Sequence, residues 1–509
     1  MPQINLNIEN IINWFSKKFF ENRYKSVSRW INYPIRYQDK IFEKLMRSYG
    51  STLIWKWYDI SLRSDYNKFC NIPIQNYDNI KHLVDQSLEG KSNILAKGRI
   101  PFFAKTSGTS SHIQKLIPIT SHAIQKNHFK WSIDTLAYYV DKHPDTNIFS
   151  WKSLVIWGSQ DLDKSRYGNY IADLSAILFT QMGPISQVMR VPWWNEVIIS
   201  DRDKKVDTIK KLAINKNITY IAGIPSWINR LLEEIKIYAD VPFLSQLRPE
   251  LELYIHGGIN FLPHKDQFEK LVGRSLNYIE VYNASEGFFG FGEQGDMFLA
   301  TNHEIFYEFI SLEEYNNNSN DRSRCSALRL QDIKPHIDYI LIITTSTGLI
   351  RYVVGDIINF NSIYPFRFKI IWRVGLFLNA FAEHINIYDL ERSIHEANKH
   401  FDINITDFTV TPIISEEKNY HDWTIEIKDH THIDKNTLIS FLDHQLMSRC
   451  PDYIAARNKI LGKPSLSIVP DDTFVARLRS IWKIWWQYKV PKIDLSGDIT
   501  EKVRSMVVK

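Results

Sequence analysis

Two lysines enclose a run of small hydroxyl residues and a glycine in the first quarter of this chain. The run from Thr106 to Ser111 reads TSGTSS, and Lys105 precedes it while Lys115 follows. Short hydroxyl side chains and free backbone N–H groups can wrap a polyphosphate, glycine lets the backbone approach, and lysine supplies positive charge. The Walker A spacing is absent, and a serine- and threonine-rich surface turn would have the same composition. The run is a candidate phosphate-binding loop.

A second cluster, YNASEG from Tyr282 to Gly287, follows a predicted strand. Ligands of open α/β sheets usually bind at the carboxyl ends of the strands. Ser285 and Glu286 could hold a phosphate and a magnesium ion there, and Tyr282 could stack on a planar base. An ordinary strand-to-loop turn is the alternative.

A third cluster, RYVVGD from Arg351 to Asp356, combines a buried strand with a polar end. Gly355 allows a turn that presents Asp356, whose carboxylate could accept both hydroxyls of a ribose. A Gly-Asp turn in a hairpin is the alternative.

Two basic residues come later. Arg373 follows Trp372 at a predicted domain boundary, where it could contact a nucleotide or form a surface ion pair. Lys489, in QYKVPK beyond the last long helix, could move into an active site and stabilise negative charge on a transferring group, or could simply face solvent.

Composition limits the classes of protein to which the chain can belong. With 509 residues, 44% hydrophobic and 23% charged, it is expected to be globular and to form two or more domains. A net charge of +5 gives weak support for nucleic acid or membrane binding. The three cysteines are far apart, so neither a disulfide framework nor a zinc cluster is indicated, and a cytoplasmic location is expected.

No signal peptide or membrane-spanning run is recognisable in the sequence. The stretch from Ile11 to Phe20 is amphipathic and aromatic. It could lie on a membrane surface, but packing on the core is the expected arrangement.

Alternating apolar runs and helical patterns predict βαβ units in the first part of the chain. Strands are expected at Leu154 to Gly158, Ile218 to Gly223, Leu251 to Gly257 and Tyr278 to Tyr282, and helices at Lys205 to Leu212 and Trp227 to Tyr238. The segment Tyr339 to Phe360 predicts a hairpin.

Beyond Pro365 to Arg373 the order of elements changes. Helices are expected at Ile387 to Asn398, Leu438 to Met447 and Thr473 to Trp482, and strands near Phe408 to Pro412, Trp423 to Ile427 and Leu466 to Val469. The predicted class is α/β, with a large amino-terminal α/β body of sheets flanked by helices and a smaller mobile α+β carboxyl-terminal domain. The expected boundaries are 1–368, a hinge at 369–376, and 377–509.

The order and spacing of these clusters resemble the adenylate-forming enzymes of the acyl-CoA synthetase and luciferase-like superfamily. More closely, they are similar to a bacterial-type member of the Gretchen Hagen (auxin-responsive) family of acyl acid amido synthetases. The similarity rests on five blocks: Phe103 to Thr109, His256 to Gly258, Tyr282 to Phe289, Phe306 to Ile310 and Lys489 to Pro491.

The resemblance implies an ATP-dependent ligase with ATP and Mg²⁺ as cofactors. It would adenylate a carboxylic acid and transfer the acyl group to an amine, with an amino acid as the expected acceptor. The implied ATP-binding residues are Thr106, Ser107, Gly108, Thr109, Ser110, Ser111, Lys115, Gly257, Gly258, Tyr282, Asp356 and Arg373. The implied catalytic residues are Lys489, Ser285 and Glu286, with Ser285 on the α-phosphate and Glu286 on the magnesium ion.

Three departures from the family pattern keep alternatives open. Trp372 and Ala382 stand where the family usually has glycine, and Lys492 stands where it usually has arginine. A bulky hinge residue can restrict rotation, and lysine lacks the bidentate geometry of arginine. A nucleotide-binding protein that has lost turnover is therefore one alternative, and a ligase with a thiol acceptor such as coenzyme A is another. The partners expected are small molecules and not nucleic acid.

The acid pocket is expected between the loop and a helix that begins near Ser121. Phe129, Trp131 and Tyr138 on that helix could line the pocket or belong to the core. The oligomeric state stays open.

Overall fold

The computed structural model describes residues 8–60, 65–106, 115–156, 162–183, 186–187, 189–192, 202–318, 321–373, 377–378, 381, 383, 385–414, 418–428, 433–480 and 490–507. These residues form two compact units. The large unit contains the described residues of 8–106, 115–259 and 268–371, and the small unit contains 260–267 and those of 372–507.

Eighteen α-helices, α1 to α18, occur in the described part of the chain. They are Ile8–Asn32, Pro34–Tyr49, Leu53–Trp57, Tyr66–Phe69, Tyr77–Leu88, Ser121–Ala123, Phe129–Lys142, Leu174–Thr180, Arg202–Asn215, Pro225–Ala239, Leu244–Leu247, Leu262–Val272, Leu312–Asn317, Ile387–Phe401, Lys435–Met447, Pro451–Lys459, Thr473–Ser480 and Asp498–Ser505. A π-helical turn, Ile124–His128, joins α6 to α7.

The strands β1 to β21 are, in chain order, Phe102–Lys105, Leu116–Ile119, Lys152–Val155, Asp163–Lys164, Tyr170–Ala172, Arg190–Val191, Ile218–Gly223, Leu253–Gly257, Asn277–Ala284, Gly287–Glu293, Asp296–Leu299, Ile305–Ser311, Leu328–Arg329, Asp338–Thr345, Tyr352–Ile363, Phe366–Arg373, Phe377–Leu378, Ile385–Asn386, Asn404–Ile413, Tyr420–Lys428 and Ser465–Pro470. Where they fall on described residues, the predicted strands and helices of both halves are confirmed within a few residues at their ends. Residues 157–158 and 481–482 of the predicted elements lie outside the described residues.

A 12-stranded mixed sheet dominates the large unit, in the order β13-β12-β14-β15-β16-β11-β10-β9-β8-β7-β3-β6. From β9 to β6 neighbouring strands run parallel, as the βαβ pattern predicts. The hairpin of β9 and β10 begins the antiparallel half. A separate four-stranded sheet has the order β2-β1-β5-β4. The α/β class is therefore confirmed.

The strands β10 and β11 were not predicted, because glycines in β10 resemble strand breakers. A Cβ atom at Gly290 would lie 2.7 Å from the Phe368 ring, and one at Gly292 would lie 2.6 Å from the Asp296 carbonyl oxygen. Close approach of neighbouring backbone and aromatic side chains therefore requires these glycines inside the strand.

The sheet curls on itself around an aromatic interior. Between β9 and β15 lie three strands, which in a flat sheet would separate them by about 19 Å. Nevertheless the ring of Tyr282 on β9 lies 6.1 Å from that of Phe368, which in turn lies 6.1 Å from Phe360 on β15. The curl brings the end of β9 to the start of β15.

A buried ion pair fixes the start of β15. The Arg351 Nε atom donates to Glu308 Oε2 at 3.2 Å, and the hydroxyl of Tyr66 donates to Glu308 Oε1 at 2.9 Å. The same guanidinium group donates to the carbonyl oxygens of Cys70 and Ile72. Arg351, part of a motif that predicted chemistry, is thus a structural residue.

The small unit is built around the sheet β19-β20-β21. The segment after residue 489 is hydrogen-bonded to β19, because Val410 N donates to Lys492 O at 2.9 Å and Asp494 N donates to Val410 O at 2.9 Å. The last helix, α18, is held to β20 by a bidentate pair between Arg504 and Asp422, at 2.7 and 2.9 Å.

The predicted hinge, 369–376, begins inside β16, because this strand extends through Arg373. The domain boundaries themselves stay a prediction.

Replacing Arg351 by alanine is expected to lower the free energy of unfolding by about 3–5 kcal/mol, because it leaves Glu308 buried without its cation. Urea denaturation measures the loss. Arg47→Ala serves as the matched control, because Arg47 and its partner Glu43 are both exposed, and a change within about 0.5 kcal/mol is expected there. Equal effects of the two substitutions would contradict the role assigned to Arg351.

Candidate functional site

Three of the predicted site residues meet where the sheet curls. Gly257, the last residue of β8, pairs with Val281 of β9, and Tyr282 follows directly. The hydroxyl of the buried Tyr282 donates to Asp356 Oδ2 at 2.5 Å. This hydrogen bond links Tyr282, in the parallel half of the sheet, to Asp356, in the antiparallel half.

The backbone at the end of β8 accepts only glycine. A Cβ atom at Gly257 would lie 2.4 Å from the Val281 carbonyl oxygen. Gly258 has φ of +82°, a conformation that favours glycine. Burial lowers the pKa of the preceding His256 to about 3, so its imidazole is neutral at physiological pH. This edge therefore offers backbone without side chains at Gly257 and Gly258, beside a neutral imidazole.

Asp356 stands at a bulge inside a strand, and not at the turn that the sequence predicted. Ile342 pairs with Val353 and Ile340 with Ile357, so β15 has additional residues opposite β14. Gly355 in this bulge has φ of +95°. A bulge redirects a side chain within a continuous strand, and here it presents Asp356 to Tyr282.

Ser285 and Glu286 form the two-residue connection between β9 and β10, whose ends pair as Ala284 with Gly287. Ser285 is half-buried, whereas the Glu286 side chain is buried. Both therefore lie directly after the carboxyl end of β9, three and four residues beyond Tyr282.

Asn127, a residue that the sequence reasoning missed, holds the chain just beyond this connection. Its Oδ1 accepts from Phe288 N at 2.8 Å, and its Nδ2 donates to the carbonyl oxygens of Phe288 and His303, at 3.3 and 2.8 Å. Asn127 is buried in the π-helical turn, a local structure that often occurs at functional sites. In the sequence, the only indication of this role was that the Asn127 amide stands on an otherwise apolar helix face.

The candidate phosphate loop connects β1 and β2. The ladder of these strands is closed by Thr106 N, which donates to Lys115 O at 3.0 Å. Lys105 Nζ binds Asp163 Oδ2 at 2.7 Å, and Lys115 Nζ lies 5.8 Å from the centre of the Tyr77 ring. The loop residues between them, Ser107, Gly108, Thr109, Ser110 and Ser111, lie outside the described residues.

The helix predicted near Ser121 begins there, because the Thr120 hydroxyl oxygen accepts from Ala123 N at 3.1 Å. On the continuing helix α7, Trp131 stacks on Phe288 at 4.6 Å, and Tyr138 is buried against Phe291. Tyr138 therefore belongs to the core, and the half-buried Trp131 packs against it.

Two predicted cationic residues, Arg373 and Lys489, come late in the chain. Arg373 ends β16, and its side chain is outside the described part of the structure, as is Lys489. Lys492, where the family pattern has arginine, binds Asp407 and lies 4.6 Å from the centre of the Phe408 ring.

No group of three or more histidine, cysteine or acidic side chains with the geometry of a metal site occurs among the residues that the structure describes. Over the same residues, no helix is long and apolar enough to cross a membrane.

Family comparisons agree along most of the chain. Three domain models of one family match it: the GH3 family N-terminal domain at residues 23–193, the central domain at 298–373 and the C-terminal domain at 388–496. Among curated proteins, the rice (Oryza sativa subsp. japonica) "Probable indole-3-acetic acid-amido synthetase GH3.11" is 26% identical over 322 residues. That alignment covers 57% of this chain and spans about half, 51%, of the rice protein. The Arabidopsis thaliana indole-3-acetic acid-amido synthetase GH3.5 is 22% identical over 459 residues, 73% of each chain.

Solved structures show the same architecture. The acyl acid amido synthetase GH3.15 superposes with a TM-score of 0.78 at 14% identity, covering 95% of both chains. A 2-hydroxyisobutyryl-CoA ligase superposes with a TM-score of 0.58 at 10% identity, covering 93% of this chain and 91% of the ligase. At these identities the likeness establishes only that this chain shares the fold of these two enzymes.

Proposed function

The chain belongs to the GH3 family, and from this premise we propose that it is an ATP-dependent acyl acid amido synthetase. It would adenylate a carboxylic acid with release of pyrophosphate and then transfer the acyl group to an amine, with an amino acid as the expected acceptor. The observation that carries the proposal is the contact between Tyr282 and Asp356 beside the bare backbone of Gly257.

These three residues fit a nucleoside. The glycine backbone at Gly257 and Gly258 would lie along the adenine, and the Tyr282 ring would flank the base. Asp356 would accept hydrogen bonds from the ribose hydroxyls, since a carboxylate accepts and does not donate. The tyrosine hydroxyl would orient that carboxylate before the nucleotide binds.

The phosphates would extend from the ribose toward Ser285 and the loop from Thr106 to Ser111, with Lys115 as a cation at its end. Magnesium commonly uses one or two protein carboxylates together with substrate phosphates and water. The buried carboxylate of Glu286 fits this pattern, whereas the described chain offers no larger ligand cluster. Mg²⁺ would therefore bind together with the nucleotide.

In the first half-reaction a carboxylate oxygen of the acid attacks the α-phosphorus, and the bond to the bridging oxygen of pyrophosphate breaks. Negative charge accumulates between two anions, so a cation at that point lowers the barrier. We assign this role to Lys489, with Ser285 on the α-phosphate and Arg373 on the nucleotide at a hinge spanning 369–376. In the second half-reaction the amine attacks the acyl carbon, and AMP leaves.

An amine acceptor agrees with the amide-forming relatives in the family. The alternative is a thiol acceptor such as coenzyme A. The observation behind this alternative is the likeness in fold to a CoA ligase. A protein without turnover is the second alternative. One argument for this alternative was Lys492, which stands where the family usually has arginine. Its ion pair with Asp407 gives Lys492 a role in the structure of the small unit, so the lysine need not impair catalysis.

A cytoplasmic location belongs to the same proposal. All three cysteines, Cys70, Cys325 and Cys450, are free thiols, which supports a reducing compartment.

The decisive experiment is ATP–pyrophosphate exchange with a panel of carboxylic acids, followed by mass spectrometry of products formed with mixed amino acids. Acid-dependent exchange and an acyl–amino acid product are expected. Thioester formation with coenzyme A and no amide would establish the thiol alternative. Tight ATP binding without exchange for any acid, under conditions in which a GH3 enzyme works, would establish loss of turnover.

Lys489→Ala is expected to slow adenylation about 10²- to 10³-fold, because it removes the cation from the transferring phosphorus. Transfer from supplied acyl-adenylate should change little. Separate assays of the two half-reactions measure the difference, and Lys399→Ala, an exposed lysine on α14, is the control. Equal loss in both halves would contradict the assignment.

Tyr282→Phe is expected to raise the KM for ATP about 5- to 30-fold, because Asp356 loses the hydrogen bond that orients it. The kcat should change less, and the preference for ATP over 2′-deoxy-ATP should narrow. Tyr278→Phe is the control, since Tyr278 lies on the same strand but donates to Glu269 at 2.8 Å. A fall in kcat at constant KM would instead place Tyr282 in the chemical step.

A further inference from the structure

The first helix presents an exposed aromatic face. Ile11, Phe15 and Phe19 follow one another at four-residue spacing and so form one row on α1. The side chains of Phe15 and Phe19 are 63% and 57% exposed, and the adjacent Trp14 is 56% exposed. Single exposed apolar residues are common, but several on one helix face mark an interaction site.

The opposite face of α1 packs on the core, whereas the sequence predicted core packing for the stretch Ile11 to Phe20 as a whole. The Asn13 side chain donates to Thr146 O at 3.2 Å, and the Phe20 ring stacks on Phe149 at 4.7 Å. Further along, Trp30 is fully buried. These contacts fix the rotation of the helix, so the aromatic row is a constant part of the surface.

Basic residues continue this face. Lys18, Lys25 and Arg29 are exposed and follow Trp14 at spacings of 4, 7 and 4 residues, which keeps them on one side of the helix. Lys18 Nζ contacts Glu21 at 2.7 Å, and Lys25 Nζ contacts Asn22 at 3.1 Å. Both contacts are exposed to solvent and therefore weak, so each lysine can exchange its partner for an anion.

The mixture of aromatic and basic residues indicates which kind of partner this face of α1 would bind. Lysine is depleted in protein–protein interfaces, so a second copy or a protein partner fits this face poorly. Helices that lie in the membrane interface combine tryptophan and phenylalanine with lysine and arginine, which bind anionic headgroups.

We propose that this face of α1 docks on a membrane surface that carries anionic lipids. Trp14, Phe15 and Phe19 would enter the boundary between headgroups and acyl chains, while Lys18 and Lys25 would contact headgroup phosphates. The helix would lie in the plane of the surface. The proposal is independent of the proposed enzymatic function.

Co-sedimentation of the full chain with vesicles tests the proposal. Binding is expected to phosphatidylcholine vesicles with about 30% phosphatidylglycerol, and much weaker binding to phosphatidylcholine alone or in high salt. The double substitution F15E/F19E should lower the partition coefficient about tenfold or more. Ile237→Glu is the matched control, because Ile237 is 73% exposed on another helix, α10, and binding should not change.

Three results would overturn the proposal. They are absence of binding by the unaltered protein, undiminished binding by F15E/F19E, and a dimer in light scattering that F15E/F19E abolishes while vesicles bind neither protein. The last result would assign the face to a second copy. Thermal melting verifies that F15E/F19E is folded, and Trp14→Gln provides a second measure that leaves both phenylalanines in place.

Discussion

The curl of the 12-stranded sheet is the constraint on which the site depends. Strands β9 and β15 would lie about 19 Å apart in a flat sheet, yet their side chains are in contact at Tyr282 and Asp356. Phe360, Phe368 and Tyr282 form a continuous series of ring contacts across this interior. Only then can a hydroxyl on β9 hold a carboxylate on β15, so the packing of an apolar core sets the position of the polar groups.

Around this contact, each polar group is placed by a local irregularity. A bulge at Gly355 presents Asp356, a π-helical turn directs Asn127 at the chain beyond Glu286, and a left-handed glycine ends β8. The ion pair of Arg351 and Glu308 fixes where the bulged strand begins. Such features occupy sparsely populated backbone conformations, which persist only where the surrounding structure determines them.

The sequence predicted the parallel strands and the helices of both units well, because their apolar periodicity is regular. It also predicted that Tyr282, Asp356 and Gly257 belong to one site, through resemblance to a family. It missed β10, because close packing demands glycines that otherwise indicate a turn, and it missed Asn127, because a π-helical turn leaves no pattern of spacing. It predicted chemistry for Asp356 in the same motif but no structural role for Arg351, because a buried ion pair between distant segments cannot be recognised locally.

Under the proposed function, the hydrogen bonds between Val410 and the segment from Lys492 to Asp494 would limit how far Lys489 can move from the small unit. In the sequence, Lys489 is only three residues before the first anchored carbonyl, that of Lys492, so few backbone bonds separate it from this anchor. When a short segment of chain links a group to its anchor, the effective concentration of the group is high near the anchor and close to zero elsewhere. Under the proposed function, the position of this ammonium group would then follow that of the anchored segment and would not change independently of it.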